Sequence, residues 1–394
     1  MQNPSTAIRR SNDRTVPAGR LPVAAGVGKA RPLYLGSEMF RRAAFGQNHP
    51  LRIMRHSAVF DLLHILGWLP DAAFREIEPA TVEQLLEFHD RGYIEALQYA
   101  DSAGTVAPEV RQRYKIGTLE NPFFPGVFQR AATTVGGSIL AAELACEGHV
   151  IFHPSGGTHH GRPDRASGFC YFNDPVFAIR TFLQHGKQHV LYLDLDAHHG
   201  DGVEDAFVGD TRVMTVSIHE DERWPYTGRA GDRRSGGARN LPVPDGVNDS
   251  ELAWLMDHAV MPLADDFRAD AMVICCGADC LAGDPLSGMQ LSNVALWHAV
   301  ARLLALDRPT VVLGGGGYNP WTVSRYWAGL WGIINGLPIP DTLPAAAVDM
   351  LRGMECDLID DDDLDPTWLT TMADSPYPGP VREAIKSVAS MAIS

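Results

Sequence analysis

The stretch HVLYLDLDAHHGDGVEDAF, residues 189–207, decides the fold. It opens with a predicted strand, 189–194, whose centre is a continuous apolar run, as expected of a strand buried on both faces. The run ends in a loop rich in Asp, His and Gly, and a short helical segment follows. Strands of this kind belong to parallel sheets that are covered by helices.

Similar apolar runs predict four further strands, at 149–153, 212–219, 271–277 and 310–314. Between them, apolar residues at helical spacing predict helices over 133–147, 174–184, 250–267 and 293–306, with N-caps at Asn173, Asp249 and Ser292. This alternation predicts an α/β fold with a mostly parallel central sheet and helices on both faces. We expect residues 1–29 to form a flexible leader and residues 30–394 to form one catalytic domain.

The composition excludes some classes of function. With 45% apolar residues among 394, the chain can bury a large core, and its net charge of −15 gives no basic footprint for nucleic acid. No run of about 18 apolar residues predicts a membrane span. The start, MQNPSTAIRRSNDR, lacks the apolar segment of a secretory signal, so we expect a cytoplasmic protein whose six cysteines are free thiols. The sequence is compatible with either a monomer or an oligomer.

Two strand ends carry the residue types of a metal site. Asp196 and His198 are two positions apart on an extended segment and therefore project to the same side. Asp279 follows another predicted strand, and the carboxyl ends of parallel strands meet at one edge of the sheet. An Asp-His-Asp set leaves a coordination position open, which is typical of catalytic zinc. The alternative interpretation is a strand end with helix caps and no ion.

Two further loops carry groups suited to acid–base chemistry. His159 and His160 follow a glycine pair, and a neutral imidazole acts as general base when a carboxylate such as Asp194 or Asp201 binds its other nitrogen. Tyr318 follows four glycines, which let the backbone run close to a ligand. Its phenol would then donate to a developing oxyanion. The alternative for Tyr318 is a tyrosine that only caps the core.

Together these motifs resemble the zinc histone deacetylase family, especially its bacterial acetoin-utilisation-type deacetylases, with an arginase/deacetylase-like fold. The resemblance covers nearly all of residues 31–340. Its segments are SGGTHHGRPDRASGFCYFND (155–174), LYLDLDAHHGDGVEDAF (191–207), VMTVSIH (213–219), GADCLAGDPLSGMQLS (277–292) and LGGGGYNPWTVSRYW (313–327). Such long ordered motifs do not arise by chance.

The resemblance implies a role for each matching residue. One zinc ion per chain would be bound by Asp196, His198 and Asp279. His160, oriented by Asp201, would be the main general base and acid. His159 would be the electrostatic partner of His160, and Asp194 would be the carboxylate that holds His159. Tyr318 would polarise the amide carbonyl.

The resemblance also implies a substrate tunnel and a second ion. Arg55 would handle the leaving acetate. The tunnel and its rim would be formed by Gly168, Phe169, Trp224, Leu286 and Glu120. A structural potassium ion would be bound by the side chains of Asp194 and Ser217 and the backbone carbonyls of Asp196, His198 and Ile218. Thr158 departs from the family pattern because many relatives have tryptophan there, Glu120 replaces a commoner aspartate, and Trp224-Pro225-Tyr226 replaces Phe-Pro-Gly.

The implied function is zinc-dependent hydrolysis of the amide of acyl-lysine, most simply acetyl-lysine, in proteins, which releases a carboxylate and free lysine. A small acylated amine such as an acetylpolyamine is the alternative substrate, and the acidic net charge suits it. An arginase-like enzyme with two metal ions would need a second ligand set near Asp279. A catalytically silent module that binds acyl-lysine would be expected to have lost a ligand or Tyr318, and both are present.

Overall fold

The computed structural model describes residues 31–42, 44–46 and 49–394, without the side chain of residue 361. The predicted leader, 1–29, lies outside the described residues. Within these described residues the chain forms eight strands: β1 Leu33–Gly36, β2 Phe74–Glu76, β3 Val150–His153, β4 Val190–Asp194, β5 Val213–Glu220, β6 Ala238–Val243, β7 Ala271–Cys275 and β8 Thr310–Leu313. They form one sheet in the order β2-β1-β3-β8-β7-β4-β5-β6, and every pairing is parallel.

Helices connect the strands and cover both faces of the sheet. Their bounds are α1 Arg55–Ile65, α2 Val82–Leu85, α3 Arg91–Ala103, α4 Pro108–Tyr114, α5 Val127–Cys146, α6 Asp174–Gln184, α7 Asp201–Ala206, α8 Asp249–Leu255, α9 Met261–Phe267, α10 Asn293–Leu304, α11 Pro320–Ile334, α12 Ala345–Arg352, α13 Thr367–Thr370 and α14 Glu383–Ile393. None of the helices in the described part of the chain is both long and apolar enough to cross a membrane.

Side chains alternate along β4 and divide the core into two layers. Leu191 and Leu193 pack in a cluster with residues of α1, α8, α10 and α11, whereas Val190 and Tyr192 pack in another cluster with residues of α5 and α6. All four are at most 1% exposed. A shift of register by one residue would exchange the two faces, so burial on both sides and close packing define the position of β4 in the sheet.

The five predicted strands are all present, each within one or two residues of its predicted bounds. Three strands were not predicted. β1 has only four residues, β2 is a partly exposed edge strand, and β6, ARNLPV, mixes polar residues and proline with apolar ones. Such short or mixed segments lack the continuous apolar signal of a central strand.

Two helix predictions are confirmed closely and two need correction. Asn173 caps α6 and Ser292 caps α10, as predicted. α5 begins at Val127, before the predicted residue 133. The cap of α8 is Asn248 rather than Asp249, because Asn248 and Glu251 form a reciprocal capping box. The predicted helix 250–267 is also interrupted by a π-helical segment at Met256–Val260.

The six cysteines all lie in the described part of the chain, and none forms a disulfide. Four of them are buried, as the sequence predicted for free thiols.

Candidate active site

The four loops that the sequence singled out meet at one edge of the sheet. They follow β3, β8, β7 and β4, which are consecutive neighbours in the strand order. The last residues of β4 and β7, Asp194 and Cys275, are register partners, so both strands end at the same level. The loops therefore converge because of strand order, although their residues are far apart in sequence.

Asp196, His198 and Asp279 form a compact group of potential metal ligands. One ligand atom from each lies within 4.8 Å of the others. His198 Nδ1 is 2.9 Å from Asp279 Oδ2 and 3.3 Å from Asp196 Oδ1. Both carboxylates have no exposed surface, whereas the His198 side chain keeps 11% exposure. The group therefore combines hard oxygen donors with an imidazole at the base of an open pocket.

Backbone amides orient the two carboxylates of this group. Gly316 N–H donates to Asp196 at 2.6 Å, and Ala197 N–H donates to Asp279 at 2.9 Å. A Cβ on Gly316 would lie 2.0 Å from an Asp279 oxygen, so only glycine fits this approach. The glycine run after β8 thus brings the backbone close to the carboxylates.

The electrostatics of this group favour a bound cation. Burial and the charge of Asp196 raise the pKa of Asp279. Burial lowers the pKa of His198, but its hydrogen bonds to the two carboxylates outweigh burial and raise that pKa to about 10. The buried negative charge is thus stable only with a positive charge beside it. A divalent ion meets this need, so the donor set fits the metal that the sequence predicted.

A second group of potential ligands consists of His159, Asp196 and Cys275, whose ligand atoms also lie within 4.8 Å of one another. Cys275 was not predicted as a site residue. Burial raises the pKa of its thiol well above the ordinary value, and the thiol donates to the carbonyl of Gly314 at 3.3 Å. Because a thiolate is the metal-binding form, this group is the weaker candidate.

His159 belongs to a buried hydrogen-bonded chain. Its Nδ1 donates to Asp194 at 2.7 Å, and the hydroxyl of Tyr192 donates to the same carboxylate oxygen at 2.7 Å. Burial lowers the pKa of His159, but the charges of Asp194 and Asp196 outweigh burial and raise it to about 9. His159 is therefore a cation at neutral pH, as its predicted electrostatic role requires.

His160 has a different electrostatic environment. Its Nδ1 donates to Asp201 at 2.8 Å, and Arg162 also binds that carboxylate. Burial and then the charge of His159 lower the pKa of His160 to about 4. The His160 ring is therefore neutral at pH 7 with a lone pair on Nε2, which is the form that a general base needs.

An entrance pocket of about 500 Å³ leads to this group and is partly lined by His160, His198, Phe169, Trp224, Leu286 and Tyr318. The Trp224 ring lies 4.6 Å from the His160 ring, and Phe169 lies 5.9 Å from Tyr318. Gly168 and Glu120 also line the pocket, and Gly168 N–H donates to Glu120 at 2.7 Å. All five residues predicted for the tunnel and its rim therefore line one pocket.

Two neighbouring groups hold the loop that carries Tyr318. Asp284 accepts the Tyr318 N–H at 2.7 Å and the Leu286 N–H at 2.9 Å. Arg55 donates to the carbonyls of Gly315 at 2.9 Å and Gly317 at 3.2 Å. The backbone at Tyr318 and the backbone at Leu286 thus bind the same buried carboxylate.

The predicted potassium ligands lie at the end of β4, within β5 and in the loop that follows β4. Asp194 and Ser217 are register partners on β4 and β5. Asp194 also accepts the Asp196 N–H at 3.1 Å, and Ser217 Oγ is 2.9 Å from His219 Nδ1. Ile218 follows on β5, and His198 belongs to the metal group.

Sequence reasoning missed three polar residues of the site. Tyr192 has the spacing of an ordinary strand residue, so nothing in the sequence marked its hydroxyl. Arg162 lies two positions after His160, and this proximity was a usable signal. Asp284 lies five positions after Asp279, where its role as an acceptor depends on the fold of both loops.

Residues 49–334 match the family model of the histone deacetylase domain, which is well over half of the chain. The chain belongs to the histone deacetylase family. Over 338 residues it is 34% identical to histone deacetylase 1 of Oryza sativa subsp. japonica. This matched region covers 82% of this chain and 64% of the rice protein. Over 298 residues it is also 33% identical to histone deacetylase 8 of Xenopus tropicalis, and this matched region covers 74% of this chain and 80% of the Xenopus protein.

Solved structures of histone deacetylase homologs share the fold. A homolog from Aquifex aeolicus superposes with a TM-score of 0.88 at 31% identity, over 92% of this chain and all of that chain. A homolog in complex with SAHA gives the same values. The α/β prediction with an arginase/deacetylase-like fold is confirmed, here with an entirely parallel sheet.

Membership of the histone deacetylase family confirms the predicted enzyme class, metal-dependent deacetylase, at the level of the family. The family also implies a divalent metal, and the structure offers a ligand group for it. The chain spans about 60–64% of the curated plant relatives that it matches. The acetoin-utilisation type, the substrate and the residue roles stay predictions.

Proposed function

We propose that this chain hydrolyses the amide of acyl-lysine, with acetyl-lysine as the simplest substrate and zinc bound by Asp196, His198 and Asp279. One observation carries the proposal: His198 of the ligand group, the neutral His160 and Tyr318 line a single pocket. An apolar tunnel suits an acylated lysine, because acylation removes the charge from the end of a long methylene stem.

The bound metal would supply Lewis acidity and a water that ionises near neutral pH. His160 accepts a proton at Nε2 as water adds to the amide carbonyl, and returns it to the departing amine. Asp201 keeps the proton of the neutral imidazole on Nδ1. His159 stays positively charged beside His160, with ring centroids 3.9 Å apart, and stabilises the negative charge that develops on the carbonyl oxygen.

Tyr318 donates a hydrogen bond to that oxygen. Burial, together with the charges of Asp279 and Asp196, raises its pKa well above the ordinary value, so the phenol stays protonated and available as a donor. Phe169 and Trp224 line the tunnel for the methylene stem, and Glu120 lies at its rim. We also propose that potassium binds beside Asp194 and Ser217, which are paired across β4 and β5.

The test is Tyr318→Phe in the zinc-loaded chain. We expect kcat for an acetyl-lysine peptide to fall about 10²–10³-fold, as for other oxyanion donors, while zinc content by elemental analysis is unchanged. His160→Ala should lose most activity at equal zinc content. Full activity of either variant would refute the assigned role, and wild-type protein that cannot be activated by any divalent metal would refute the function.

An acetylated polyamine is the second candidate substrate, because Glu120 and Glu222 place two acidic side chains at the rim of the pocket. A cation beyond the acylated amine would be attracted there. Measuring kcat/KM for acetylspermidine beside the acetyl-lysine peptide separates the two. A higher kcat/KM for the polyamine would favour this second substrate.

A further inference from the structure

A second cavity of about 80 Å³, here called the rear cavity, lies behind the site. Its lining includes Arg55, His56, Arg130, Ser155, Thr158 and Phe169. Phe169 also lines the entrance pocket, so the two spaces share this residue in their walls. Arg55 binds the carbonyls on either side of Gly316, which itself binds Asp196. The rear cavity is therefore next to the metal group.

Two guanidinium groups line this cavity. Arg55 donates to the carbonyls of Gly315 and Gly317, and Arg130 donates to the carbonyl of Met39 at 2.9 Å. Arg55 lies 5.3 Å from the centre of the Trp327 ring, and Arg130 packs on an aromatic ring in the same way. Among the described residues, no carboxylate oxygen lies within the 4.0 Å of an ion pair from either group. Both arginines thus form hydrogen bonds with neutral groups only. Burial lowers the pKa of Arg55, and the charges of the carboxylates of the metal group and of Asp284 partly offset that effect, whereas no carboxylate of the described residues does so for Arg130.

The position of Arg130 is electrostatically unfavourable unless an anion binds. Burial and then the charge of Arg55 lower the pKa of Arg130 to about 10. The same two arginines, after burial itself, lower the pKa of His56. Arg130 is a buried positive charge with no carboxylate partner in the described part of the chain and with Arg55 nearby, so it attracts an anion, and a carboxylate matches the planar fork of arginine.

One arginine beside the metal group is enough for the carboxylate that any acyl-lysine releases. The second arginine, Arg130, needs a separate explanation. The rest of the lining does not exclude a longer acyl group, because Thr158 has a small side chain whose hydroxyl donates to the Phe172 carbonyl at 2.6 Å. A bound water needs roughly 15 Å³ of such space, so a few extra non-hydrogen atoms fit into the cavity.

Building on the proposed acyl-lysine hydrolysis, we propose that the rear cavity binds the distal carboxylate of a dicarboxylic acyl group through Arg130 and Arg55, so that succinyl-lysine is a preferred substrate. A succinyl group exceeds acetyl by four non-hydrogen atoms. Its carbonyl would lie at the metal group, and its chain would extend past Phe169 to the arginines.

The reaction is hydrolysis and needs no reactant other than water. The amide C–N bond breaks and a C–O bond forms from water. One proton of that water goes to the lysine nitrogen through His160, which gives a carboxylic acid and a neutral amine, and the proton of that new acid then moves to the amine. The products at neutral pH are succinate, with two carboxylates, and the lysine ammonium group.

The experiment uses the zinc-loaded full chain and one peptide with three lysine modifications: acetyl, succinyl and succinamyl. Succinamyl ends in an amide, so it matches succinyl in shape without the charge. We expect kcat/KM for succinyl to exceed that for succinamyl at least tenfold. Arg130→Met should bring this ratio close to one, whereas Arg302→Met, which removes an arginine paired with Asp257 on the surface, should keep it.

Arg130→Met is first checked for folding by thermal melting and zinc content. If it does not fold, product inhibition of the wild type decides instead, and succinate should inhibit at least tenfold more strongly than butyrate. Equal rates on succinyl and succinamyl, or equal inhibition by the two acids, would overturn the proposal. Hydrolysis of acetyl-lysine without a succinyl preference overturns only the carboxylate cavity, whereas no hydrolysis of any peptide overturns the proposed function itself.

Discussion

Gly168 shows how a residue without a side chain shapes the entrance pocket. Its φ of +53° lies in the left-handed region. A Cβ there would lie 2.4 Å from the Trp224 ring and 2.6 Å from the His160 ring. The aromatic wall and the candidate base can therefore approach each other only because position 168 is glycine.

We predict that Gly168→Ala lowers kcat/KM for an acetyl-lysine peptide at least tenfold. The added methyl group must displace His160 or Trp224, and a displacement of about 1 Å at a reacting group can cost 10²-fold in rate. The matched control is Gly353→Ala, where the nearest atom to the new Cβ is 3.5 Å away. Equal activity of Gly168→Ala and wild type would show that the tunnel is wider than this geometry implies.

At the scale of elements, the start of α6 holds the loop that carries the two histidines. Asn173 caps the helix, and its amide group also donates to the carbonyls of His159 at 3.1 Å and Gly161 at 2.9 Å. Asp174, in the first turn, accepts the N–H groups of Gly157 and Thr158. A helix N-terminus favours acidic side chains, so the same residues stabilise α6 and position the loop.

We predict that Asn173→Ala lowers both stability and turnover. Loss of the cap and of two buried hydrogen bonds should reduce the free energy of unfolding by about 1–3 kcal/mol. Asn248→Ala is the control, because Asn248 caps α8 away from the histidine loop. It should lose stability by about 1 kcal/mol and keep its kcat, as measured by urea unfolding and by assays well below the melting temperature. Equal kcat values for Asn173→Ala and Asn248→Ala would contradict the role of Asn173 in positioning the histidine loop.

At the scale of the whole molecule, buried histidines make the fold sensitive to acid. His89 is 2% exposed, its Nδ1 is 3.0 Å from the Arg162 carbonyl, and its Nε2 accepts the Asn173 N–H at 3.2 Å. Burial lowers its pKa to about 3. Protonation at Nε2 would break the bond to Asn173, so the folded chain needs neutral His89.

The expected pH dependence follows from the direction of that shift. Because the pKa of His89 is lower in the folded chain than in the unfolded one, its contribution to stability is complete above about pH 6.5 and is lost as the pH falls toward about 3. At pH 4.5 the loss should be about 3 kcal/mol relative to pH 7.5. In His89→Gln, which does not titrate in this range, the decrease in unfolding free energy should be smaller by that amount.

His185→Asn, at an exposed position, is the control and should show the same decrease as the wild type. Urea unfolding at several pH values measures the free energy of unfolding of the zinc-loaded wild type and of both zinc-loaded variants. Parallel curves for wild type and His89→Gln would mean that His89 is not the group responsible.

The sequence by itself determined the fold class and the central elements. Continuous apolar runs identify β3, β4, β5, β7 and β8, since strands buried on both faces need apolar residues at every position. Helix caps at Asn173 and Ser292 were also visible, because capping depends on residues three or four apart. The ligand group of Asp196, His198 and Asp279 was also visible in the sequence, because these residues follow predicted parallel strands whose carboxyl ends meet at one edge of the sheet.

Only the tertiary structure decided which partners complete the site. The acceptor role of Asp284, the hydroxyl of Tyr192 on Asp194, and the second arginine of the rear cavity all depend on distances between loops that are remote in sequence. The same holds for the opposite pKa shifts of His159 and His160, adjacent residues of the same type. Local sequence specifies backbone preference and polarity, whereas burial and the position of neighbouring charges arise only when the strands are assembled in order.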